Sequence, residues 1–553
     1  MKSIHFLIQS IMSTTRLIAT LAFLLVLVGC KVQETPNSVN QPLPNPYLSA
    51  PIYGVTHFNP AQTDAFPYAV PAGNFKTDLS QCPVAWGGPV NLMCLAATDT
   101  NHMWAISTEG VSYMDASGGN WKKIAFLQLP GVIPVGEEKL KTLVHSKFTN
   151  VEELTRLCVG VLGDTLLNVT SNGIYTVADK DNNVYVNVGT TICVIGLKDN
   201  SNPASGLALK RSIDGKDVFK PLSILGMPPV VRLIGMNMTY DGRIVIGCYN
   251  AIAVIDREFK EKPVVYNLEE GQLITNSLTI DSKNGIYVVS GSLAPKGNGV
   301  LRKLVWNGTS ISDKEDDGAW KSDYPGGDWP PAIKAGTGSG ATPTLMGFND
   351  REDKLVVITD GTNRMNIIAF WRDEIPADAK QVPGALSNRI AGMMPVTAGL
   401  DPNTPWIQSE QSVVVNGWGA FVVNNIIPDG LPDKIVDVMA IGPLLSPPKG
   451  MEKFQWDPEA NKWSSAWYRN DVVSTSMVPS VSMVSKQVFV NGYSANEGWE
   501  VTGLDWNTGQ TVYRNIFGHN NQGNGAYAII QYLSNGDLLF NSISGPIRIP
   551  HKK

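Results

Sequence analysis

The stretch Asp241-Gly242-Arg243-Ile244-Val245-Ile246-Gly247 decides the fold class, because a tight polar turn leads directly into a short β-branched strand. Such a turn reverses the chain, and β-branched residues favour a buried strand. The same pattern recurs at irregular intervals of roughly 40 to 80 residues. Its other copies cover residues 181–186, 283–289, 354–360, 419–424, 487–491 and 535–540. A repeated turn and strand predicts an all-β protein built from antiparallel units.

The composition agrees with a turn-rich β protein. Of 553 residues, 52 are Gly and 14 are Trp, whereas only 17% are charged. Four-stranded blades that close into a ring leave no exposed sheet edges. The sequence therefore predicts one large β-propeller of seven or eight blades, in which the final strand, Gly545–Ile549, pairs with an early one. A β-sandwich array or a β-solenoid is the alternative, but no linker interrupts residues 98–549.

Two features stand apart from the repeats. Apolar residues between residues 137 and 158 fall near helical spacing, which predicts a small helical insertion on one rim of the propeller. Cys82 and Cys94 flank a Trp-Gly-Gly loop, so a short disulfide between them is plausible in an oxidising compartment. Cys193 and Cys248 lie in apolar strands and are predicted to be buried thiols.

The N-terminus indicates the compartment. Arg16 precedes an apolar run that is too short to span a bilayer comfortably and ends in Leu27-Val28-Gly29-Cys30. This tetrad resembles the lipobox of bacterial lipoproteins. The resemblance implies that residues 1–29 are a signal peptide and that Cys30 becomes the lipid-modified first residue of the mature protein. An uncleaved anchor or an ordinary signal peptide is the alternative, and a start at Met12 would leave the signal complete.

The residues after Cys30 predict how the protein is displayed. Residues 30–50 carry four prolines among Asn, Gln and Ser, which predicts an extended tether, and residues 51–553 form the predicted propeller domain. Lys31 stands where an Asp favours inner-membrane retention in enterobacterial lipoproteins. If the cell is Gram-negative, the resemblance therefore implies an extracytoplasmic protein whose lipid at Cys30 binds it to the outer membrane.

Several functions are disfavoured by the sequence. A net charge of −5 argues against a nucleic-acid partner. The nucleophile elbow GxSxG, the zinc motif HExxH and EF-hand spacing are all absent. The run Gly336-Thr337-Gly338-Ser339-Gly340 lacks a Walker lysine and is predicted to be a flexible loop.

Residues 275–289 resemble the start of the innermost strand in gluconolactonase-like and strictosidine-synthase-like propellers. In that family an Asn points into the central channel, and in metal-dependent members it ligates a divalent cation, usually calcium. Asn276 matches this position, so the resemblance implies a Ca²⁺ site. Residues 504–513 instead resemble quinoprotein repeats, but without a tryptophan-docking repeat they leave a PQQ enzyme as a minor alternative.

Further site residues follow from the geometry of a propeller, because inner strands converge on its axis. Hard oxygen ligands suit Ca²⁺, and the candidates are Asn276, Glu410 and Asn524. Glu410 directly precedes an inner strand, and three roles are open for it: a metal ligand, a general base or a solvated charge. His519 is the second catalytic candidate, as a general base or a solvated surface group. Asp360 begins Asp-Gly-Thr-Asn, which favours a turn.

Two functional classes remain open, and the sequence leaves it uncertain whether the chain is an enzyme. In the first, a lipid-anchored propeller binds a small molecule or glycan in its channel or on its Trp-rich rim, with metal-dependent hydrolase-like activity. In the second, the propeller binds a protein partner or assists assembly at the outer membrane without enzymatic activity. Convergence of Asn276, Glu410 and Asn524 on the axis would favour the first class.

Overall fold

The computed structural model describes residues 41–88, 92–162, 173–223, 228–329, 336–349, 352–427, 439–475, 477–525 and 527–551. The chain divides into two compact units, Met1–Gln41 and Pro42–Lys553. The predicted signal peptide, Cys30 and most of the tether lie outside the described residues and stay predictions. Among the described residues, no helix has both the length and the apolar character needed to cross a bilayer.

Two short strands and three antiparallel sheets make up the first half of the second unit. The early strands are β1 (Ala65–Phe66) and β2 (Gly73–Lys76). Sheet 1 contains β3 (Leu95–Ala96), β4 (His102–Ile106), β5 (Gly110–Asp115) and β6 (Lys122–Gln128). Sheet 2 contains β7 (Val177–Ala178), β8 (Asn183–Val188), β9 (Thr191–Leu197) and β10 (Leu207–Asp214). Sheet 3 contains β11 (Leu233–Met238), β12 (Arg243–Cys248), β13 (Ala251–Asp256) and β14 (Val264–Asn267).

The next three sheets continue the same antiparallel order. Sheet 4 contains β15 (Gln272–Ile274), β16 (Thr279–Ile280), β17 (Gly285–Ser292), β18 (Gly299–Trp306), β19 (Ile311–Ser312) and β20 (Trp320–Tyr324). Sheet 5 contains β21 (Thr344–Met346), β22 (Leu355–Thr359), β23 (Asn366–Trp371) and β24 (Ile390–Pro395). Sheet 6 contains β25 (Val414–Asn416), β26 (Gly419–Val423), β27 (Lys449–Asp457) and β28 (Lys462–Val473).

The last two sheets receive strands from the beginning of the unit. Sheet 7 contains β29 (Ser480–Ser482), β30 (Gln487–Ser494), β31 (Gly498–Asp505) and β32 (Thr511–Gly518), with β1 parallel to β29 and β2 parallel to β32. Sheet 8 contains β33 (Gln531–Tyr532), β34 (Leu538–Ser542) and β35 (Gly545–Ile549). Val84 bridges Ile547 in antiparallel fashion, which confirms the predicted pairing of the final strand with an early segment.

These sheets form a β-propeller, as the sequence predicts, and eight sheets occur in the described part of the chain. Apolar side chains of neighbouring sheets fill the space between them: Val245 and Val254 of sheet 3, for example, form one cluster with Ile286 and Val288 of sheet 4. The predicted helical insertion is also confirmed, as helices α1 (Glu137–His145) and α2 (Val151–Leu162).

The predicted disulfide between Cys82 and Cys94 does not form, because Cys94 is a free thiol. Its Sγ atom is buried 3.6 Å from Oδ1 of Asn541, and burial raises the pKa of this thiol well above its usual value. Cys193 and Cys248 are buried free thiols, as predicted. Their burial makes them inert packing residues.

The N-terminal part of the second unit lies inside the propeller. We call residues 48–66 the channel segment. Its backbone accepts hydrogen bonds from inner strands at Ala96, Ala178, Ile280, Leu345, Val415 and Val481. Side-chain hydrogen bonds link the segment to the two remaining sheets: Asn237 of sheet 3 donates to Pro60 O, and Tyr53 donates to Tyr532 O of sheet 8. The segment therefore contacts every described sheet and closes the channel.

The packed unit also begins earlier than residue 51, the predicted start of the propeller domain. Asn45 is buried, and its Nδ2 atom donates to the backbone oxygens of Met238 and Thr239. Leu48 is buried and forms a β-bridge with Asp179. Residues 45–50, which the sequence places in the tether, thus pack against sheets 2 and 3.

Candidate functional site

Side chains from the starts of several inner strands meet at one end of the channel. Each of them precedes the inner strand of its sheet, so the twist of the blades carries it toward the axis. We call this group, together with two residues of the channel segment beneath it, the axial cup. Its wall residues are Tyr175, Asn276, Thr342, Glu410 and Tyr527, and its floor residues are His57 and Asp64.

Asn276 joins three sheets in the wall of the cup. Its Oδ1 atom accepts hydrogen bonds from Tyr175 Oη of sheet 2, from Thr342 Oγ1 of sheet 5 at 2.9 Å, and from the Ser277 amide at 2.8 Å. Its Nδ2 atom donates to Gly340 O. Tyr175 therefore reaches past sheet 3 toward the axis, and Asn276 fixes its hydroxyl group.

His57 and Asp64 form a buried pair below this wall. Nδ1 of His57 lies 2.8 Å from Oδ2 and 3.0 Å from Oδ1 of Asp64. The histidine ring stacks on Tyr175, with centroids 6.1 Å apart and planes at 28°. Burial raises the pKa of Asp64, although His57 partly offsets this effect. When Nδ1–H donates to the carboxylate, Nε2 is left as the basic atom of the ring.

Asp64 contacts only Nδ1 of His57, and no described residue hydrogen-bonds to Nε2. The pair is also held by an unusual backbone, since His57 and Asp64 have φ angles of 64° and 52°. Tyr53, Phe58 and Gln62 of the same segment share this left-handed conformation. Such conformations cost about 1–3 kcal/mol each, persist where the surroundings enforce them, and cluster at functional sites.

The ionisable groups of the cup influence one another. Burial raises the pKa of Tyr175, and the carboxylates of Asp64 and Glu410 raise it further. Burial also raises the pKa of Tyr527, which bonds to Glu410. Both phenols therefore stay protonated at neutral pH and can donate hydrogen bonds. Glu410 itself is half-buried.

The structure brings together only some of the predicted site residues. Asn276 and Glu410 share Tyr175 as a neighbour. Asn524 is buried three positions before Tyr527, and its backbone oxygen accepts from the Ile543 amide. The roles predicted for Asn276, Glu410 and Asn524 remain predictions.

Two further candidates lie in other surroundings. His519 is exposed at the end of β32, where its Nδ1 atom lies 3.0 Å from Tyr493 Oη. Its predicted role as a general base remains a prediction. Asp360 accepts from the Thr362 and Asn366 amides at 3.1 and 2.9 Å, which confirms the predicted turn.

A calcium ion does not fit the donors at Asn276. Its Oδ1 atom, the proposed ligand, already accepts three hydrogen bonds from the protein. Calcium takes six to eight oxygen ligands, commonly including several carboxylates. Within the described ranges, no group of three or more His, Cys, Asp or Glu residues is placed to hold a metal.

The glycine-rich run supports the cup instead of forming the predicted flexible loop. Residues 336–342 are buried. The backbone amide of Ser339 donates a hydrogen bond to Tyr324 Oη at 2.9 Å, which restrains the run. The backbones here approach so closely that a Cβ on Gly361 would lie 1.9 Å from Thr337 O. Only glycine permits such contact, and the packed run presents Gly340 O to Asn276.

The helical insertion lies beside the cup. Its buried side chains and those of the connections between β26 and β27 and between β34 and β35 form one apolar cluster: Leu140, Leu143, Val144, Leu154, Ile427, Met439, Ile441 and Ile543. Tyr527 packs against this cluster. The insertion therefore holds Tyr527 in position next to Glu410.

Five residues of the cup were not identified from sequence: His57, Asp64, Tyr175, Thr342 and Tyr527. His57 shows no paired ligand spacing, and the segment around it has no strand periodicity. The sequence does contain a usable signal, because Tyr175 and Thr342 each precede an inner strand by two residues, much as Asn276 precedes β16 by three. Extending the propeller argument to every inner strand would have found them.

The comparisons with known proteins support the fold. No protein-family model matches the chain. An uncharacterized protein from Archaeoglobus fulgidus is 32% identical over 295 residues, which cover 51% of this chain and 54% of that protein. The chain thus spans about half the length of this relative. Among solved structures, a europium-containing methanol dehydrogenase matches with a TM-score of 0.50 over 90% of each chain.

The WD40 domain of SCAP from fission yeast matches with a lower TM-score of 0.39, over 84% of this chain and 96% of that domain. Both solved structures are 10% identical to this sequence. At this identity, the likeness to the methanol dehydrogenase shows a common fold alone.

Proposed function

We propose that this protein binds a small polar molecule in the axial cup and catalyses proton transfer through His57. The observation that carries the proposal is the convergence of Tyr175, Asn276 and Glu410 over the buried His57–Asp64 pair. A few convergent polar groups together with perturbed pKa values are characteristic of small-molecule binding sites.

The chemistry follows from the role of each residue. Asp64 accepts the Nδ1 proton and orients His57, so Nε2 acts as a general base and afterwards as an acid. Tyr175 and Tyr527 donate their single O–H groups to Asn276 and Glu410, so their phenol oxygens remain as acceptors for hydroxyl groups of the ligand. Glu410 adds a carboxylate acceptor. This set suits hydrolysis or elimination of an oxygen-rich substrate, and no step requires a metal.

A binding experiment can test the site before a natural substrate is identified. The purified chain is screened by thermal shift against small polyols, sugar acids and lactones. We expect a stabilising compound whose effect disappears in Tyr175→Phe and Glu410→Gln. The matched control is His519→Gln, which removes an exposed histidine outside the cup and should leave the shift unchanged.

An activity test addresses the proton transfer. Hydrolysis of gluconolactone is followed by acid release, with His57→Gln compared against the wild type and His519→Gln. Loss of a general base reduces rates by about 10²–10⁴-fold. If binding hits survive in both cup variants, or if His57→Gln hydrolyses the lactone at the rate of the wild type, the proposal is wrong.

We also propose that Cys30 anchors the protein in the outer membrane of a Gram-negative cell. The support is the sequence Leu27-Val28-Gly29-Cys30 followed by Lys31. In cells fed labelled palmitate, we expect label in the wild type and none in Cys30→Ser, which should remain an unanchored precursor. Cys82→Ser is the control, because it keeps the tetrad intact.

A further inference from the structure

A second cavity lies at the opposite end of the inner strands. The cup residues Asn276 and Thr342 precede β16 and β21, whereas this cavity is bordered by residues that follow those strands. Its volume is ≈ 110 Å³. Its lining includes Leu43 and Ala61 of the N-terminal segments and the charged residues Asp281, Lys283, Lys354, Arg372 and Asp373.

Arg372 is the unusual residue of this cavity. It is only 5% exposed, yet no described carboxylate forms an ion pair with it. Its only side-chain hydrogen bond among the described residues runs from Nη2 to Gly347 O, and its guanidinium group lies 5.6 Å from the ring centroid of Phe348. Nε and Nη1 of Arg372 have no hydrogen-bond partner among the described residues, so they are available to bind an anion in the cavity.

The neighbouring charges make the cavity positive. Lys283 is exposed at its rim, and Lys354 also lines it. Both acids are already engaged by protein donors: Asp373 by Lys303 Nζ at 2.9 Å, and Asp281 by Tyr287 Oη and the Gly285 amide. Burial pushes the pKa of Asp373 upward, but the charges of Lys303, Arg372 and Lys283 hold it below its usual value.

We propose that this cavity binds a phosphate group, with Arg372 as the buried anchor and Lys283 at the rim. A guanidinium group binds phosphate oxygens in a bidentate manner, and a lysine adds a point charge. One water molecule needs about 10–15 Å³ of such cavity space, so a cavity of ≈ 110 Å³ has room for a phosphate group. The residues engaged here are separate from the axial cup.

Two sources of the phosphate share this chemistry. A soluble phosphate monoester is one. The other is a phospholipid headgroup, because Pro42 and Leu43 line the cavity and only a short stretch of chain separates them from Cys30. A headgroup bound there would add a second membrane contact to the lipid anchor that we propose.

Calorimetry on the purified chain with inorganic phosphate and with glycerol 3-phosphate tests the site at constant ionic strength. We expect saturable binding that is about tenfold weaker in Lys283→Gln and Arg372→Lys. The first variant changes an exposed side chain and so keeps the test valid if the second folds poorly. Lys462→Gln, an exposed lysine on β28, is the matched control and should bind like the wild type.

Flotation with phosphatidylcholine vesicles, with and without phosphatidylglycerol, separates the two sources. Binding to the anionic vesicles that Lys283→Gln weakens and Lys462→Gln preserves supports the phosphate site with the lipid as its source. Binding of the soluble phosphates alone supports the same site with a soluble ligand. The proposal is overturned if neither form binds, or if Lys283→Gln and Arg372→Lys bind as tightly as the wild type.

Discussion

His57 and Asp64 show how a residue pair can be specified by its surroundings more than by its own sequence. Both adopt left-handed backbone conformations that favour glycine, and both are buried in the channel. Their neighbours in the segment are bonded to inner strands on all sides, which enforces these conformations. The pair is therefore preorganised, and its protonation should affect the stability of the whole fold.

The pH dependence of Asp64→Asn tests this link. Because burial raises the pKa of Asp64, its contribution to stability is fully present below the unfolded value of about 3.9. That contribution is lost as the pH rises through the folded pKa. Asn cannot ionise, so we expect the unfolding free energy of the variant, relative to the wild type, to improve from acid toward neutral pH.

Asp471→Asn provides the contrast for this measurement. The ion pair with Arg469 lowers the pKa of Asp471, so its contribution is present above the unfolded value and is lost as the pH falls. In urea titrations across the acid range, the two variants should diverge from the wild type in opposite directions. Parallel curves would contradict the burial effect at Asp64.

The hydrogen bonds of Asn276 lead to a second prediction. Replacing Asn276 by Ala leaves Tyr175 Oη, Thr342 Oγ1 and Gly340 O without their shared partner, so we expect a loss of about 2–3 kcal/mol in unfolding free energy. Asn403→Ala, on an exposed turn, should cost little. Added chelator should leave the wild-type melting temperature unchanged, whereas a fall would support the predicted Ca²⁺ site.

At the scale of elements, ion pairs join neighbouring sheets. Arg257, which follows β13 of sheet 3, contacts Asp179 of sheet 2 at 3.2 Å, and this carboxylate is buried. Removing one partner of such a pair leaves an uncompensated charge. We expect Arg257→Gln to lose about 3 kcal/mol of unfolding free energy in urea titrations.

The control for this prediction is Arg243→Gln in the same sheet. Arg243 pairs with Glu261, whose side chain is 64% exposed, and such surface pairs contribute about 0–1 kcal/mol. Equal losses in the two variants would mean that the contact with Asp179 does not join the sheets.

The elements that were predictable from sequence are those with a local cause. The turn-and-strand repeat found around Asp241 is the second strand of its sheet, and the copies at residues 283–289 and 535–540 fall on β17 and β34 in the same way. Such strands are fixed by a polar turn and a buried face. The channel segment has neither, because its conformation is imposed by bonds to strands hundreds of residues away.

The same distinction between local and long-range causes applies to the residues of the candidate site. Asn276 and Glu410 were predictable, because each directly precedes a recognisable strand. His57 and Asp64 were not, since their proximity to Tyr175 depends on the path of the channel segment. The prediction of a flexible loop at residues 336–340 was wrong for a related reason. Its glycines allow close packing against Gly361 and Gly291, and no local sequence pattern reveals such long-range contacts.

At the scale of the whole molecule, the ring is closed twice. The bridge between Val84 and Ile547 joins the ends of the propeller at its circumference. The channel segment joins all described sheets at the axis and extends sheet 7 through β1, and β2, which follows the segment, pairs with the same sheet. Because axial contacts reach every sheet, the segment should behave as part of the core and not as a detachable plug.

Cleavage between Ala72 and Gly73 tests this view of the segment. Both Pro71 and Ala72 are exposed, so a specific protease site inserted there can be cut in the folded protein. We expect the N-terminal fragment, which contains residues 48–66, to co-elute with the body in native size exclusion and to separate only in denaturant. The uncut insertion protein is the control for the insertion itself. A fragment that leaves a folded body behind would show that the propeller closes without it.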